Sequence, residues 1–277
     1  METTALQGHP CFGGDRHKYG RLHLAVAPAC NIQCAFCVRK HDCVAESRPG
    51  VTSRVLTPRQ ALQRVRLAME DPALREMIRV VGIAGPGDPL ANEATFETFQ
   101  LVHQSYPDLI TCLSTNGLLL PERFEDLLAF GLHSLTVTIN ALDPEVGAKI
   151  YSNIRHGGER IDGADGARML IAHQLEGVAL AARSGIVIKV NTVLIPGVNE
   201  EQIPLIARAV KARGASVMNI MPLIPQAAFA GISPPSQERL QQARDANSQI
   251  ISQFRHCSQC RADAVGLITE KTCGGVR

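Results

Sequence analysis

Three cysteines, Cys30, Cys34 and Cys37, fall within the eight-residue stretch CNIQCAFC. The spacing, C-x3-C-x2-C, is close enough for one loop to wrap a cubane cluster. A [4Fe-4S] cluster normally takes four thiolates, so three protein ligands leave one iron able to bind something else. That open iron is a candidate site for a substrate or cofactor. Zinc is the competing reading, but structural zinc wants four closed ligands, usually as two separated pairs, which this triplet does not supply.

The chain has nine cysteines, and the other six are Cys11 in HPC, Cys43 in RKHDCVAESRPG, Cys112, Cys257 and Cys260 in CSQC, and Cys273. Taken alone, Cys112 is a small buried hydrophobe of a strand. The C-x2-C beside His256 taken alone is half of a zinc knuckle. Cys273 fits no motif and reads as a terminal thiol.

The elements that must position these thiols are legible as alternating patterns. Apolar runs rich in Val, Ile and Leu predict six strands, at Arg21–Ala27, Arg79–Gly85, Leu109–Thr115, Ser134–Asn140, Ile186–Ile195 and Ser216–Leu223. Amphipathic segments between them predict helices. The first starts at Thr57 as N-cap, with Pro58 at the first position, Gln60 completing a capping box and Leu62, Val65 and Met69 as the buried stripe. Others are expected at Glu93–Tyr106, Pro121–Phe130, Ala167–Arg183, Glu200–Arg213 and Ser236–Phe254. Ser152–Gly166, rich in Gly and charge, reads as a rim loop.

Six βα units predict an α/β fold with a parallel sheet, an open (β/α)6 version of the eight-unit barrel, with its chemistry at the C-terminal ends of the strands. The strand exits carry Cys30, then GPGDP (Gly85–Pro89), STNG (Ser114–Gly117), Asn140, PGVNE and MPLIP. By itself GPGDP is a tight turn. Its position at a strand exit, with the others, suits a ligand-binding rim.

The 277 residues suit one domain, a core barrel over about 20–255 with extensions at 1–19 and 256–277. An apolar content of 45% with 19% charged residues is that of a globular protein. A formal net charge of +2, with scattered basic residues, leaves no footprint for nucleic acid. Met1–Pro10 has no apolar leader core, and no run reaches the ~18 apolar residues of a membrane span. The expected setting is the reducing cytoplasm, where thiols serve metal or catalysis rather than disulfides.

C-x3-C-x2-C with an aromatic at Phe36, after the first strand of a six-unit barrel, resembles the radical S-adenosylmethionine (SAM) superfamily. The resemblance implies that the open iron binds the amino and carboxylate groups of SAM, and that one electron cleaves SAM to a 5'-deoxyadenosyl radical. It places Phe36 against adenine, and Gly85, Gly87 and Asp88 of GPGDP near the SAM amino group. Thr115, Asn116 and Asn140 are then candidates to reach the carboxylate or ribose.

HPC, AVAPACNIQC, KHDC with ESRPG, GIAGPGDPLAN and CRADAVG, in this order from His9 to Gly266, resemble the branch that builds the nitrogenase cofactor. That resemblance implies two further [4Fe-4S] clusters as substrates, fused into an eight-iron precursor with a SAM-derived carbide and an added sulfur. It implies Cys11, Cys257 and Cys260 as ligands of one, Cys43 and Cys112 as ligands of the other, with a nitrogen from His9 or His41. Glu46 is then a labile oxygen ligand or proton acceptor, its plain alternative being a solvated loop carboxylate. Arg48, Arg261 and Asp263 either balance cluster charge or form ordinary surface pairs. The implied partners are a cluster donor, a reductant and a scaffold or carrier protein that receives the product from a monomeric enzyme with no carrier-type domain of its own. The competing function is another radical SAM enzyme with auxiliary clusters, acting on an organic or peptidyl substrate in a dry pocket.

Overall fold

The computed structural model describes residues 8–12, 15–38, 43, 52, 54–257 and 260–268. His41, Glu46, Arg48 and Cys273 lie outside the described residues. Along the chain, β1 (Gly20–His23) and a short β2 (Ile32–Cys34) precede α1 (Pro58–Glu70), α2 (Pro72–Met77) and β3 (Ile78–Ile83). Next come α3 (Glu93–Ser105), β4 (Ile110–Thr115), α4 (Phe124–Ala129), β5 (Ser134–Thr138) and α5 (Pro144–Ile150). A hairpin of β6 (Tyr151–His156) and β7 (Glu159–Asp162) leads into α6 (Gly163–Arg183). The chain ends with β8 (Val187–Leu194), α7 (Gln202–Lys211), β9 (Val217–Pro222), α8 (Gln237–Ser248), β10 (Ser252–Gln253) and β11 (Val265–Gly266).

The six expected strands are β1, β3, β4, β5, β8 and β9, and they lie side by side in chain order, all parallel. This is the order a partial (β/α)6 barrel requires. Every residue of β5 and β8 is buried, as a strand covered on both faces must be. The predicted cap of α1 is present in both directions: Gln60 N donates to Thr57 Oγ1 at 3.3 Å and Thr57 N to Gln60 Oε1 at 3.0 Å. Its buried stripe is centred on Ala61, Val65 and Ala68, with Leu62 and Met69 only partly covered at its flanks. Small residues face the sheet where the helix sits closest.

Three expectations need correction. Ser152–Gly166 is not a loop. The Gly157–Gly158 pair takes positive φ at both residues (59° and 84°), as a two-residue hairpin turn demands, and α6 begins at Gly163. The segment expected as one helix over Ser236–Phe254 stops at Ser248, and Ser252–Gln253 joins the sheet beside β9. The first strand ends at His23, where Val26 N turns back to Leu24 O at 3.1 Å, and only an isolated bridge from Ala27 to Pro86 continues it.

The two edges of the sheet are β10 and β11, which pair with β9 and β1. Residues 254–257 and 260–264 therefore lie between one edge and the other as a strap that carries Cys257 and Cys260. Among the described residues, no helix is long and apolar enough to cross a membrane.

Candidate active site

The cysteine triplet starts at the exit of the first barrel strand and runs through β2. Gln33 Nε2 donates to the carbonyls of Cys34 (3.1 Å) and Cys37 (3.0 Å), and Cys37 N to Cys34 O at 3.0 Å. The loop's own carbonyls are thus held internally, and all three thiols remain half-buried and free of disulfides. β2 pairs with β6, with Ile32 opposite Ile154 and Cys34 opposite Tyr151. Beneath lies a second apolar cluster of Phe36, Leu118, Tyr151, Ile154 and others, against which Cys30, Cys34, Cys43 and Cys257 pack. Phe36 is fully buried there, its ring 6.3 Å from that of Phe229.

GPGDP is built into the foundation of this loop. Gly87 N donates to Ala27 O (2.5 Å) and Asp88 N to Ala29 O (2.8 Å), directly before Cys30. A Cβ on Gly87 would sit 2.2 Å from Ala29 O, so only glycine permits the approach. Pro86 O accepts from Cys43 N at 2.9 Å, which brings Cys43 to the same segment.

Asp88 is turned inward. Its carboxylate accepts from Leu90 N (3.0 Å), Thr115 Oγ1 (2.9 and 3.0 Å) and Asn116 N (2.6 Å). Burial pushes its carboxyl up to about 6, against the pull of these donors. Asn116 in turn donates to Asn31 Oδ1 (2.7 Å) and accepts from Leu118 N (2.8 Å). Asp88, Thr115 and Asn116 therefore fasten one strand exit to the next with their side chains.

Two buried amides near them do offer hydrogens. Among the described residues, neither Asn31 Nδ2 nor Asn140 Nδ2 has a partner in good hydrogen-bond geometry. Asn140 Oδ1 accepts from Val193 N at 2.9 Å, which fixes the orientation of that amide. Buried donors of this kind call for an acceptor, and a carboxylate or ribose hydroxyl beside Cys30 meets that need. The donor set thus fits a cluster with SAM.

Four of the remaining thiols gather on the inner side of the sheet. A chamber of about 620 Å³, counting its opening to solvent, is lined by Cys11, Cys112, Cys257 and Cys260 together with His9 and His23. Its walls are inward residues at alternate strand positions, Gly82 with Ala84, Cys112 with Ser114, and Lys189 with Asn191. Cys112 thus shares a wall with Cys11, Cys257 and Cys260, while Cys43 sits by GPGDP. Burial pushes the Cys11 thiol up to about 11, so in metal-free protein it holds its proton.

One cation lines this chamber, and a second is bonded to a thiol of its wall. Arg21, wholly buried, donates to Gly266 O (2.5 Å), Leu267 O (2.7 Å) and Cys260 Sγ (2.8 Å). Lys189 lines the wall with its ammonium 5.0 Å from the Phe12 ring centre and 5.3 Å from that of Phe254. Buried positive charge beside four thiols favours an anionic occupant.

The histidines differ in the nitrogen they present. Cys11 N donates to His9 Nδ1 at 3.1 Å, so the neutral ring of His9 carries its proton on Nε2. His23 Nδ1 lies 3.1 Å from Arg261 O, which only accepts, so the proton is on Nδ1 and Nε2 keeps its lone pair. Burial, with Arg21 beside it, pushes His23 down to about 4 and leaves it neutral. His23 is therefore the better metal-binding nitrogen, and sequence reasoning missed it. The available signal was parity: Arg21 and His23 share one face of β1. Also missed were Asn92, whose side chain bonds both Ala29 N (3.1 Å) and Ala29 O (2.8 Å), and Gln174, which ties Asn116 O to Thr138 O at 2.8 Å each. Arg261 Nε pairs with Asp263 at 3.0 Å, one of the two arrangements expected for them.

Comparison with known proteins bears on the class of the chain and on its fold. The Radical SAM superfamily matches residues 24–210, and the chain is a member of it. Membership brings a [4Fe-4S] cluster and SAM. Among solved structures, 87% of the chain superposes on Streptococcus suis SuiB (TM-score 0.60, 13% identity, 51% of that chain). The same share superposes on methylornithine synthase PylB (TM-score 0.58, 18% identity, 64% of that chain). At these identities the likeness concerns the fold.

The nearer relatives are narrower in kind. The chain is 48% identical over 95% of its length to the FeMo cofactor biosynthesis protein NifB of Klebsiella pneumoniae, covering 57% of that protein. It is 45% identical over 96% of its length to NifB of Methanocaldococcus infernus, covering 87% of that one. The chain belongs to the NifB family. It spans a little over half the length of the Klebsiella pneumoniae and Azotobacter vinelandii proteins, 57% and 54%.

Proposed function

We propose that this protein is the radical SAM enzyme that builds the eight-iron precursor of the nitrogenase cofactor. Its substrates are two [4Fe-4S] clusters, which it fuses with a SAM-derived carbide and one added sulfur. The observation that carries the reading is the second thiol group: Cys11, Cys112, Cys257 and Cys260 around a cationic chamber apart from the Cys30 loop. Thiols at that density suit an iron-sulfur occupant, and the charge beside them suits an anionic cluster better than the dry pocket an organic substrate needs.

Cys30, Cys34 and Cys37 would hold the resident cluster, where one SAM would supply a methyl group to a sulfide of a substrate cluster and a second, cleaved with one electron from the reductant, the radical that removes hydrogen from that methyl. Asn31 and Asn140 offer their buried amide hydrogens to SAM, and Phe36 supports the adenine side from within the apolar cluster. GPGDP holds the loop in register through Ala27 and Ala29, and Asp88 locks the next strand exit to it. In the chamber, Cys11, Cys257 and Cys260 with Nε2 of His23 take one substrate cluster, while Arg21 and Lys189 balance its negative charge. Cys112 and Cys43, with Glu46 as an oxygen ligand or proton acceptor, serve the other. Ligation by fewer than four thiolates per substrate lets the product leave for a scaffold or carrier protein. A cluster donor and a reductant complete the set of partners.

The test is the anaerobic iron and acid-labile sulfide content of reconstituted protein beside the variant lacking Cys30, Cys34 and Cys37. About twelve iron falling to about eight, as three four-iron clusters require, supports cluster fusion. About four falling to none would leave a radical SAM enzyme with a different substrate.

A further inference from the structure

Apart from the thiols, three side chains from separate elements converge near the surface. Glu122 precedes α4, His156 ends β6 and His173 lies on α6, and their ligating atoms all fall within 4.8 Å of one another. His156 Nε2 touches the Glu122 carboxylate, and the two imidazole rings are 5.2 Å apart at 82°. His173 Nδ1 lies 2.7 Å from Leu118 O. A carbonyl fixes the proton on Nδ1 and leaves Nε2 as the ligating atom, as the outer-sphere partners of metal-bound histidines commonly do.

We propose that Glu122, His156 and His173 bind a first-row divalent cation of the zinc class, which clamps the β6–β7 hairpin to α6. Two imidazoles and one carboxylate suit that class and are poor ligands for calcium or magnesium. Bonds of about 2.0–2.1 Å in a tetrahedral site need donors roughly 3.3 Å apart. The Glu122 side chain, 47% exposed, has the freedom to adjust to that spacing. Three protein ligands leave one position for water, so the ion is exchangeable.

The clamp acts on the cysteine loop. His156 ends the strand whose Asn153 and Tyr151 lie opposite Gln33 and Cys34, and Arg155 N donates to Asn31 O at 2.7 Å. Leu118, which orients His173, follows the Asn116–Gly117 exit directly. A cation at this site therefore ties together both segments that face the triplet, without touching any of its thiols.

The experiment uses full-length, iron-loaded protein under anaerobic equilibrium dialysis against zinc chloride, with zinc and iron both counted. Wild type should hold one zinc per chain more than the His156→Ala, His173→Ala double variant, at equal iron. Its zinc absorption edge should report only nitrogen and oxygen neighbours. Amide exchange over 151–156 should slow about tenfold or more on zinc addition, and only in wild type. Zinc with sulfur neighbours, or equal zinc in both proteins, overturns the site. Zinc bound as expected but with unchanged exchange in the hairpin overturns the clamp. The single variant His156→Ala, at a hairpin end, guards against misfolding in the double, and far-UV circular dichroism identical to wild type certifies it.

Discussion

Asp88 offers a quantitative test of how the SAM-side exits are held together. Its carboxyl is raised from 3.8 to about 6 by burial, so in the folded chain it binds its proton over a range where the unfolded chain has lost it. The resulting stabilisation is fully present below pH 3.8 and is lost as pH rises through about 6. The span of about 2.2 units corresponds to about 3 kcal/mol. Asp88→Asn removes this dependence but presents an amide N–H to Thr115 Oγ1 or Asn116 N, leaving a buried donor badly paired at about 1–3 kcal/mol. Urea unfolding of iron-free wild type and variant should therefore show a gap that shrinks by about 2.4 kcal/mol from pH 4 to pH 7. Comparing the two proteins cancels the contributions of His23 and every other shared group. A gap that stayed constant from pH 4 to 7 would show that the donors on Asp88 outweigh its burial, and the reasoning would fail.

Other outcomes follow from the same geometry. Gly87→Ala forces a Cβ to 2.2 Å from Ala29 O and should cost more than about 3 kcal/mol in thermal unfolding, with loss of the SAM-cluster signal in electron paramagnetic resonance. Arg21→Met strips a charged donor from Gly266 O, Leu267 O and Cys260 Sγ, so it should cost about 2–5 kcal/mol and speed proteolysis in the tail. His23→Gln should lower bound iron while SAM cleavage persists, whereas His9→Gln should keep the iron; the reverse pattern refutes the tautomer argument. Cys257→Ala or Cys260→Ala should spare SAM binding and block formation of the eight-iron product, read by its iron count.

Much of this arrangement is legible in the chain because it is local. The capping box at Thr57, the C-x3-C-x2-C loop and the six apolar runs each depend on neighbours a few residues away. The hairpin at Gly157–Gly158 was equally local, but charge and glycine there mimic a loop unless the pair is tested for a two-residue turn. His23 and the chamber were hidden for a different reason. Which residues of successive strands face inward together depends on register, and register is set by the whole sheet. Lys189, a lone charge inside the apolar run IVIKVNTVLI, was the visible clue that the interior is polar. The inward turn of Asp88 had no such clue, since a carboxylate in a glycine-proline turn ordinarily faces water.

The strap carried by residues 254–257 and 260–264 also bears on the edges of the sheet. A barrel left incomplete exposes two sheet edges, each an invitation to pair with another molecule. Here both edges are finished by strands of two residues, β10 and β11, too short to template a neighbour. So few ladder bonds also make the strap the part of the barrel wall that opens at least cost in free energy. Amide exchange should begin there, at the segment that carries Cys257 and Cys260, while β5 and β8 stay closed.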